Sequence, residues 1–233
     1  MRRFYLPDFQ RPLLSAQEVH HCINVLRLKV GDTVNVFDGR GREGQASISQ
    51  IVDQTVHLKL LSQSSTPGLP CRITLAQAVP KKNMDLIVQK ATELGAAAIV
   101  PLISERTLKR PTGTPERWRE IALDACKQSG NNWLPEIQPP QSTRDFLNSP
   151  GEFDLKLVAS LQPDSKPLKT ILEGSSPRSV LVLIGPEGDF TPAEVSAAKS
   201  DGCQPLSLGP LVLRAETAAL YALSILHHEL QTR

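Results

Sequence analysis

Two short segments near the C-terminal end of the chain carry the residue types that could do chemistry. Residues 184–191 read Ile-Gly-Pro-Glu-Gly-Asp-Phe-Thr, and residues 208–217 read Leu-Gly-Pro-Leu-Val-Leu-Arg-Ala-Glu-Thr. Both segments combine turn-forming glycine with proline, which donates no backbone hydrogen bond. Each also carries a carboxylate, Glu187 or Glu216, which a simple turn does not need. Gly-Pro pairs are common in ordinary turns as well, but two such segments with acidic residues together predict a binding site.

The patterns around both segments predict loops at the carboxyl ends of strands. An apolar run over residues 180–184 predicts a buried strand, and residues 191–194, Thr-Pro-Ala-Glu, form a capping box that starts a helix. A strand-like piece over residues 205–208 precedes the second segment, and apolar periodicity over residues 215–230 predicts a final helix. Ligands of open α/β sheets bind in the crevice outside the carboxyl ends of the strands, so we expect one shared site.

The remaining chain predicts a small β domain followed by an α/β domain. Residues 62–70 are polar and rich in helix and strand breakers, as linkers are, so we expect domains over residues 1–68 and 71–233. Short runs of strand composition over residues 32–39 and 45–61 predict a small β-barrel. After the linker, strand-like and helix-like runs alternate, which is typical of an α/β sheet with mostly parallel strands. The further predicted elements are strands over residues 72–79, 97–103 and 155–159, a helix over residues 84–94 that ends at Gly95, and a helix that starts at residues 114–116.

The composition excludes several classes of protein. The chain has 233 residues, of which 40% are apolar and 21% charged, which is typical of a globular protein. No stretch approaches the roughly 18 apolar residues of a membrane span, and Pro7 interrupts the N-terminal segment before a signal-peptide core could form, so we expect a cytoplasmic protein. The four cysteines show no C-x-x-C spacing, so we expect no metal site.

The charge distribution favours the N-terminal part of the chain as the side that contacts nucleic acid. The net charge is only +2, but residues 1–70 hold eight Lys or Arg against six Asp or Glu, whereas residues 71–233 hold eighteen of each. A small basic patch can steer a phosphate backbone. The candidate nucleic-acid-binding residues are Arg2, Arg3, Arg27 and Lys29. Two plainer interpretations stay open: residues 26–29 as a strand with solvated charges, and the N-terminal arginines as a solvated tail.

Four segments together resemble one family. Besides the two loops, residues 25–32 read Val-Leu-Arg-Leu-Lys-Val-Gly-Asp, and residues 84–95 read Met-Asp-Leu-Ile-Val-Gln-Lys-Ala-Thr-Glu-Leu-Gly. In this order they resemble the bacterial 16S ribosomal RNA (uracil N3)-methyltransferases, which belong to the knotted SPOUT class of S-adenosylmethionine enzymes. The likeness covers nearly the whole chain. It departs at Asp189, where the family usually has a second glycine, and this residue adds a negative charge next to a site that must receive RNA.

The resemblance implies a fold, a cofactor and partners. It implies a SPOUT-type α/β domain with a C-terminal trefoil knot, in which residues 208–216 form the knotted loop, preceded by a PUA-like RNA-binding β-barrel. It also implies a homodimer that acts on 16S ribosomal RNA of the small ribosomal subunit and binds S-adenosylmethionine largely through main-chain groups. The implied cofactor-binding residues are Ser160, Leu183, Ile184, Gly185, Pro186, Glu187, Gly188, Leu208, Gly209, Leu213 and Ala215.

The implied reaction makes Arg214, Glu216 and Glu187 the candidate catalytic residues. Methylation of uridine N3 requires removal of the imide proton and a methyl donor in line with N3. A cationic donor such as Arg214 would stabilise the charge that develops on the uracil oxygens. Glu216 or Glu187 would accept the proton or orient Arg214 by a salt bridge. We favour orientation for Glu216, because a carboxylate next to an arginine becomes a weaker base; a helix-capping role for the pair is the plainer alternative.

Two other functions stay open at this point. A non-catalytic RNA-binding or ribosome-assembly factor is favoured only by Asp189. The second is a SPOUT methyltransferase that acts on another atom, such as a 2′-hydroxyl, or on another RNA. This function is harder to exclude, because the cofactor loops carry little information about which atom is methylated. A Rossmann-type enzyme is excluded, because no G-x-G-x-x-G turn opens a first βαβ unit.

Overall fold

The computed structural model describes residues 2–107 and 115–231. The chain divides into two compact units, the first comprising Met1–Gly68 and Leu123–Leu134 and the second comprising Leu69–Ala122 and Pro135–Arg233. The sequence gives no sign that residues 123–134 belong with the first unit, and the domain limits at 1–68 and 71–233 stay a prediction. Residue 114, where a helix was expected to start, lies outside the described residues.

The first unit is built on a four-stranded mixed sheet. Its strands are β1 (Arg3–Tyr5), β2 (Thr33–Phe37), β3 (Arg42–Val52) and β4 (Thr55–Ser65), in the order β1-β2-β3-β4. The first pair is parallel, and the other two pairs are antiparallel. A short helix, α1 (Ala16–His20), continues into a π-helical turn over His21–Val25. Alternate residues of β2, β3 and β4 point to one face and form the core of this unit, as the period of a strand requires.

The turns that join β2 to β3 and β3 to β4 have local physical causes. Asp53 and Gln54, which join β3 to β4, both have positive φ, of 45° and 59°, as a two-residue hairpin turn demands. The buried Asp38, between β2 and β3, accepts hydrogen bonds from the amides of Arg40 and Arg42, at 2.7 and 3.0 Å, and from Arg42 Nε at 2.6 Å. These bonds satisfy a carboxylate that would otherwise be costly to bury.

The strand interpretation of residues 26–29 is wrong. Arg27 has a φ of 52°, which is left-handed, and the Leu28 amide donates to the carbonyl of Cys22 at 3.0 Å. The Lys29 amide donates to Asp32 Oδ2 at 2.7 Å. The segment is therefore a tight loop after the π-helical turn, and it leaves the side chains of Arg27 and Lys29 exposed.

The second unit contains a sheet of eight parallel strands. Its strands are β5 (Arg72–Ala78), β6 (Ala98–Ile103), β7 (Glu136–Ile137), β8 (Gln141–Ser142), β9 (Leu155–Ala159), β10 (Lys166–Pro167), β11 (Ser179–Ile184) and β12 (Gln204–Ser207). Their order is β10-β12-β9-β11-β5-β6-β7, and β8 also pairs with β6. The helices are α2 (Met84–Glu93), α3 (Pro115–Ser129), α4 (Thr143–Asn148), α5 (Leu168–Ile171), α6 (Pro192–Ser200) and α7 (Ala215–Gln231), of which α3 continues into the first unit.

In the second unit, the longer predicted elements are confirmed to within one or two residues. In the first unit, β3 begins three residues before the predicted range 45–61 and β4 ends four residues after it, so residues 62–65 of the predicted linker belong to a strand. Both hydrogen bonds of the predicted capping box are present at the start of α6, because Thr191 and Glu194 each accept from the backbone of the other. The helix α2 is followed by Gly95 with a φ of 75°, as expected of a C-terminal cap. The short elements β7, β8, β10, α4 and α5 have no counterpart among the predictions. None of the helices in the described ranges is long and apolar enough to cross a membrane.

The strand order brings four loops to one edge of the sheet. The strand β11 lies between β9 and β5, and β12 pairs with the other side of β9. Because all these strands are parallel, their carboxyl ends meet at the same edge. The loops that begin after Ala78, Ala159, Ile184 and Ser207 therefore start side by side.

Candidate active site

The loops after β9, β11 and β12 surround a cavity of about 410 Å³. Most of the residues that the sequence singles out line it, namely Ser160, Ile184, Gly185, Pro186, Glu187, Gly188, Leu208, Gly209, Leu213, Arg214 and Ala215. Asp189, Leu211 and Val212 of the two motif loops also line it, together with three residues outside those loops that the sequence motifs do not single out, namely Ala159, Leu161 and Ala218. The two motif loops thus form one site, as expected from their places after neighbouring strands.

Two of the candidate residues do not line this cavity. Leu183 is only 1% exposed and packs in the hydrophobic core of the second unit. Because successive side chains of a strand point to opposite faces, a strand residue next to a cavity residue can be part of the core. Glu216 lies in the first turn of α7, and its Oε1 accepts a hydrogen bond from Asn83 Nδ2 at 3.0 Å.

The carboxylate of Glu187 is held by the main chain of a third loop. Its two oxygens each lie 3.0 Å from the amide nitrogen of Lys81, which donates to them. In the described part of the chain, neither Glu187 nor Glu216 forms an ion pair with Arg214. The expected salt bridge to Arg214 is therefore absent from this arrangement, and both carboxylates are instead bonded to the loop after β5.

Arg214 stands directly before the last helix. The Ala218 amide donates to the Arg214 carbonyl at 2.8 Å, which makes this carbonyl the acceptor of the first helical hydrogen bond. The Arg214 side chain is exposed and belongs to the cavity lining. A guanidinium in this position can donate hydrogen bonds to a ligand oxygen at the cavity.

The backbone at Asp189 takes the conformation that glycine would favour. Its φ is 65°, in the left-handed region that aspartate and asparagine tolerate better than most residues. Its Oδ1 accepts from the Phe190 amide at 2.8 Å. The pKa of the Asp189 carboxyl is raised, mainly because the group is partly buried. The charge of Glu194 adds to this rise, whereas the hydrogen bond from the Phe190 amide and the charge of Arg106 oppose it. The departure from glycine is thus accommodated by the fold, and it leaves a partly buried acid beside the cavity.

Hydrogen bonds from Arg106 and within the loop itself stabilise the loop over residues 185–189. The guanidinium of Arg106 donates to the carbonyl of Gly188, and the Asp189 amide donates to the carbonyl of Pro186 at 3.0 Å. An added Cβ on Gly185 would lie 2.8 Å from Asp189 Oδ1. The loop is therefore compact, and glycine is required at residue 185 for close approach and not for an unusual φ.

Comparison with known proteins decides the family. A family model described as RNA methyltransferase domain matches residues 67–227, and a model described as RNA methyltransferase PUA domain matches residues 14–61. The chain belongs to this RNA methyltransferase family. The "Ribosomal RNA small subunit methyltransferase E" of Synechocystis sp. is 37% identical over 215 residues, covering 91% of this chain and 71% of the relative. The protein of the same name from Bacillus subtilis is 31% identical over 229 residues, covering 93% and 89%.

Solved structures of relatives agree with the fold. A ribosomal RNA small subunit methyltransferase E from Neisseria gonorrhoeae, bound to S-adenosyl methionine, matches with a TM-score of 0.89 at 33% identity and covers 99% of this chain and 98% of its own. A structure from Legionella pneumophila, in complex with the bound cofactor SAM, matches with a TM-score of 0.90 at 34% identity and covers 98% of both chains. The family resemblance and the fold class, an α/β unit with a parallel sheet after a PUA-like unit, are confirmed.

The four candidate RNA-binding residues of the first unit differ in their surroundings. Arg3 is only partly exposed, donates to the side-chain oxygen of Asn132 and stacks 4.6 Å above the ring of Phe37. Arg2 is exposed and lies 3.8 Å from Asp32 in an ion pair. Arg27 and Lys29 are exposed on the tight loop after the π-helical turn. Arg27 and Lys29 are therefore accessible, whereas Arg3 makes contacts within its own unit.

Two residues that the sequence motifs do not single out, Lys81 and Asn83, donate hydrogen bonds to the carboxylates of Glu187 and Glu216. These residues directly precede α2, whose motif carried part of the family resemblance. The signal that could have drawn attention to them is their place in the loop after β5, next to a strand that carries a site loop. In the described residues, no group of three or more His, Cys, Asp or Glu could hold a metal ion.

Proposed function

We propose that this chain is an S-adenosylmethionine-dependent methyltransferase that methylates N3 of one uridine in the 16S ribosomal RNA of the small subunit. The observation that carries the proposal is the cavity between the two Gly-Pro loops, at the carboxyl edge of a sheet shared with relatives that were solved with this cofactor. The specific atom, N3, rests on the resemblance of the motifs.

The residues of the cavity fit the cofactor. A volume of about 410 Å³ suits a ligand of this size, since small-molecule sites occupy roughly 300–1,000 Å³. Leu208, Leu213 and Ala215 offer apolar contact for an adenine ring. Within the described part of the chain, residues 211–213 make no backbone hydrogen bond, so their peptide groups are available to a ligand. When bound, S-adenosylmethionine supplies an electrophilic methyl group on a sulfonium.

Arg214 and Glu187 are the residues placed to act on the uracil. The exposed guanidinium of Arg214 lines the cavity, where it would donate to the uracil oxygen on which negative charge develops. Glu187 also lines the cavity, and an ionised carboxylate has about four lone-pair sites, so its bonds to the Lys81 amide leave capacity to accept the N3 proton. Glu216 does not line the cavity, which supports a positioning role for it.

The same proposal includes a homodimer acting in the cytoplasm on the small ribosomal subunit. Large apolar side chains stand exposed beside the cavity, among them Leu211 at 72% and Val212 at 80% exposure. Exposed apolar groups of this size often mark a contact with another chain, and a second copy of this chain would cover them. The exposed Arg27 and Lys29 of the PUA-like unit would contact the RNA backbone.

One experiment tests the reaction, its substrate and the methylated atom. The purified protein would be incubated with isotope-labelled S-adenosylmethionine and either small subunits or free 16S RNA from a strain that lacks the modification, and the RNA would be mapped by mass spectrometry. We expect label on N3 of one uridine, and calorimetry should detect binding of S-adenosylhomocysteine. Label on another atom would contradict the N3 assignment. No label and no binding would contradict the proposal and favour a non-catalytic RNA-binding factor.

A further inference from the structure

The loop after β5 contacts both loops of the candidate site. This loop, residues 79–83, reads Val-Pro-Lys-Lys-Asn. The amide of Lys81 donates to the carboxylate of Glu187, and the side-chain amide of Asn83 donates to Glu216 Oε1 at 3.0 Å. Two residues of one short loop thus hold the two carboxylates that belong to different motifs.

The side chain of Asn83 bonds to Glu216 and does not cap its own helix. Asn83 occupies the N-cap position of α2, where an asparagine side chain usually accepts a hydrogen bond from an amide of the first turn. Its side chain makes no such bond, and its backbone is left-handed, with φ 70° and ψ 14°. Left-handed backbone is unfavourable for most residues other than glycine, and asparagine is among those that tolerate it. The side-chain amide is directed instead to a residue 133 positions later in the chain.

The partner of Asn83 belongs to the same helical turn as Arg214. Glu216 lies in the first turn of α7, and Arg214 supplies the carbonyl that accepts the first hydrogen bond of this helix. Between them, the buried Ala215 lines the cavity. A bond that holds Glu216 therefore also restrains the backbone from which the Arg214 side chain extends.

We propose that Asn83 is a positioning residue for methyl transfer, which acts through Glu216 to hold the start of α7 and, with it, the guanidinium of Arg214. This inference rests on the proposed function for its effect on catalysis. Its structural part concerns the backbone of residues 214–218, whose local stability can be measured without turnover. A displacement of about 1 Å in a group that must meet a reacting atom can lower a rate by roughly a hundredfold.

Two substitutions separate the amide of Asn83 from its backbone conformation. Asn83→Gly keeps a residue that adopts left-handed φ freely and removes only the hydrogen bond to Glu216. Asn83→Asp also tolerates this φ but sets a second carboxylate against Glu216. Two adjacent carboxylates share a proton at lower pH, which restores a hydrogen bond between them. The matched control is Gln54→Gly, at a left-handed position with φ 59° in the β3–β4 turn.

The first measurement is amide hydrogen exchange at Ala218, whose amide donates to the Arg214 carbonyl at 2.8 Å. We expect exchange about tenfold faster in Asn83→Gly than in the parent, since a loss of roughly 1.4 kcal/mol in local stability gives this factor. In Gln54→Gly this amide should exchange as in the parent. Unchanged exchange at Ala218 in Asn83→Gly would overturn the inference, whether or not the protein proves to be a methyltransferase.

The second measurement is single-turnover methyl transfer against pH. We expect Asn83→Gly to lower the rate roughly tenfold with the affinity for S-adenosylhomocysteine unchanged. The rate of Asn83→Asp relative to the parent should rise as the pH falls, whereas the relative rate of Asn83→Gly should stay constant. The other charged groups on these loops, Lys81, Lys82, Glu187 and Arg214, are the same in every variant. A parent-like rate in Asn83→Gly would overturn the inference and leave the proposed function standing.

Discussion

Gly185→Ala tests how tightly the first site loop is packed. The new Cβ would lie 2.8 Å from Asp189 Oδ1, 3.0 Å from the Phe190 nitrogen and 3.1 Å from Asp189 Cα. Two of these three atoms belong to the backbone, so a side-chain rotation cannot relieve the crowding. The φ of Gly185 lies outside the left-handed region, so alanine would add steric overlap and no backbone strain.

The size of the effect follows from this overlap. Forcing an extra methyl group into a packed site costs roughly 1–3 kcal/mol. If the loop shifts to relieve it, the hydrogen bond from the Phe190 amide to Asp189 Oδ1 is the first to lengthen, because Oδ1 is the nearest atom. The loop lines the cavity, so we expect the affinity for S-adenosylhomocysteine to fall by about 5- to 150-fold, measured by isothermal titration calorimetry.

A second glycine provides the control. Gly174 follows α5, has a φ of 71° and would place a new Cβ with no atom within 4 Å. Gly174→Ala should therefore introduce backbone strain alone, which costs about 1–2 kcal/mol of unfolding free energy, and leave the affinity for S-adenosylhomocysteine unchanged. Parent-like affinity in Gly185→Ala would refute the argument that this loop needs glycine for close approach.

Three further predictions concern charged groups. Arg214→Ala should lower single-turnover methyl transfer by about 10²- to 10³-fold with little change in S-adenosylhomocysteine affinity, and equal turnover would remove the proposed role of Arg214. Asp189→Asn should raise the free energy of unfolding at neutral pH, because burial raises the pKa of this carboxyl in the folded state. That gain should vanish as the pH falls through the folded-state pKa of Asp189, where the carboxyl is protonated. Urea denaturation at neutral pH and at a pH below this pKa measures the difference in unfolding free energy. A lower unfolding free energy of Asp189→Asn at neutral pH would contradict the prediction. Lys127→Met should lower the unfolding free energy by roughly 3–5 kcal/mol, because it removes the ion-pair partner of Glu18, which is 2% exposed. A loss below about 1 kcal/mol in urea denaturation would show that Glu18 does not depend on this pair.

Features with a local physical cause could be predicted from the sequence. The start of α6 was predicted because the capping box satisfies the first amides of a helix with side chains three residues apart. The strand β11 was predicted from its run of five apolar residues, since a strand buried on both faces has no polar positions. Two-residue strands such as β7 and β10 are too short for any periodicity, so their sequence gave no signal.

The roles of the site carboxylates could be predicted only in part. The sequence identified Glu187 and Glu216 as residues that a simple turn does not need. It favoured a role for Glu216 in orienting Arg214 by a salt bridge, because a carboxylate next to an arginine becomes a weaker base. The structure instead pairs Glu216 with Asn83, which no pattern of spacing connects to it. The strand interpretation of residues 26–29 was wrong because the amides of Leu28 and Lys29 bond to the nearby residues Cys22 and Asp32, which an alternating pattern does not reveal.

The sequence by itself determined the longer strands and helices of the second unit and the capped start of α6, and it carried the motifs by which the family is recognised. These properties depend on residues within a few positions of one another, which interact in any chain that reaches the same local conformation. Only the tertiary structure decided that β11 lies between β9 and β5, so that the loops after β9, β11 and β12 surround one cavity. It also decided that the loop after β5 bonds the carboxylates of both motifs, Glu187 and Glu216. Pairing between distant strands uses backbone groups that are the same in every residue, and the partner of each strand is therefore selected by the packing of the whole core.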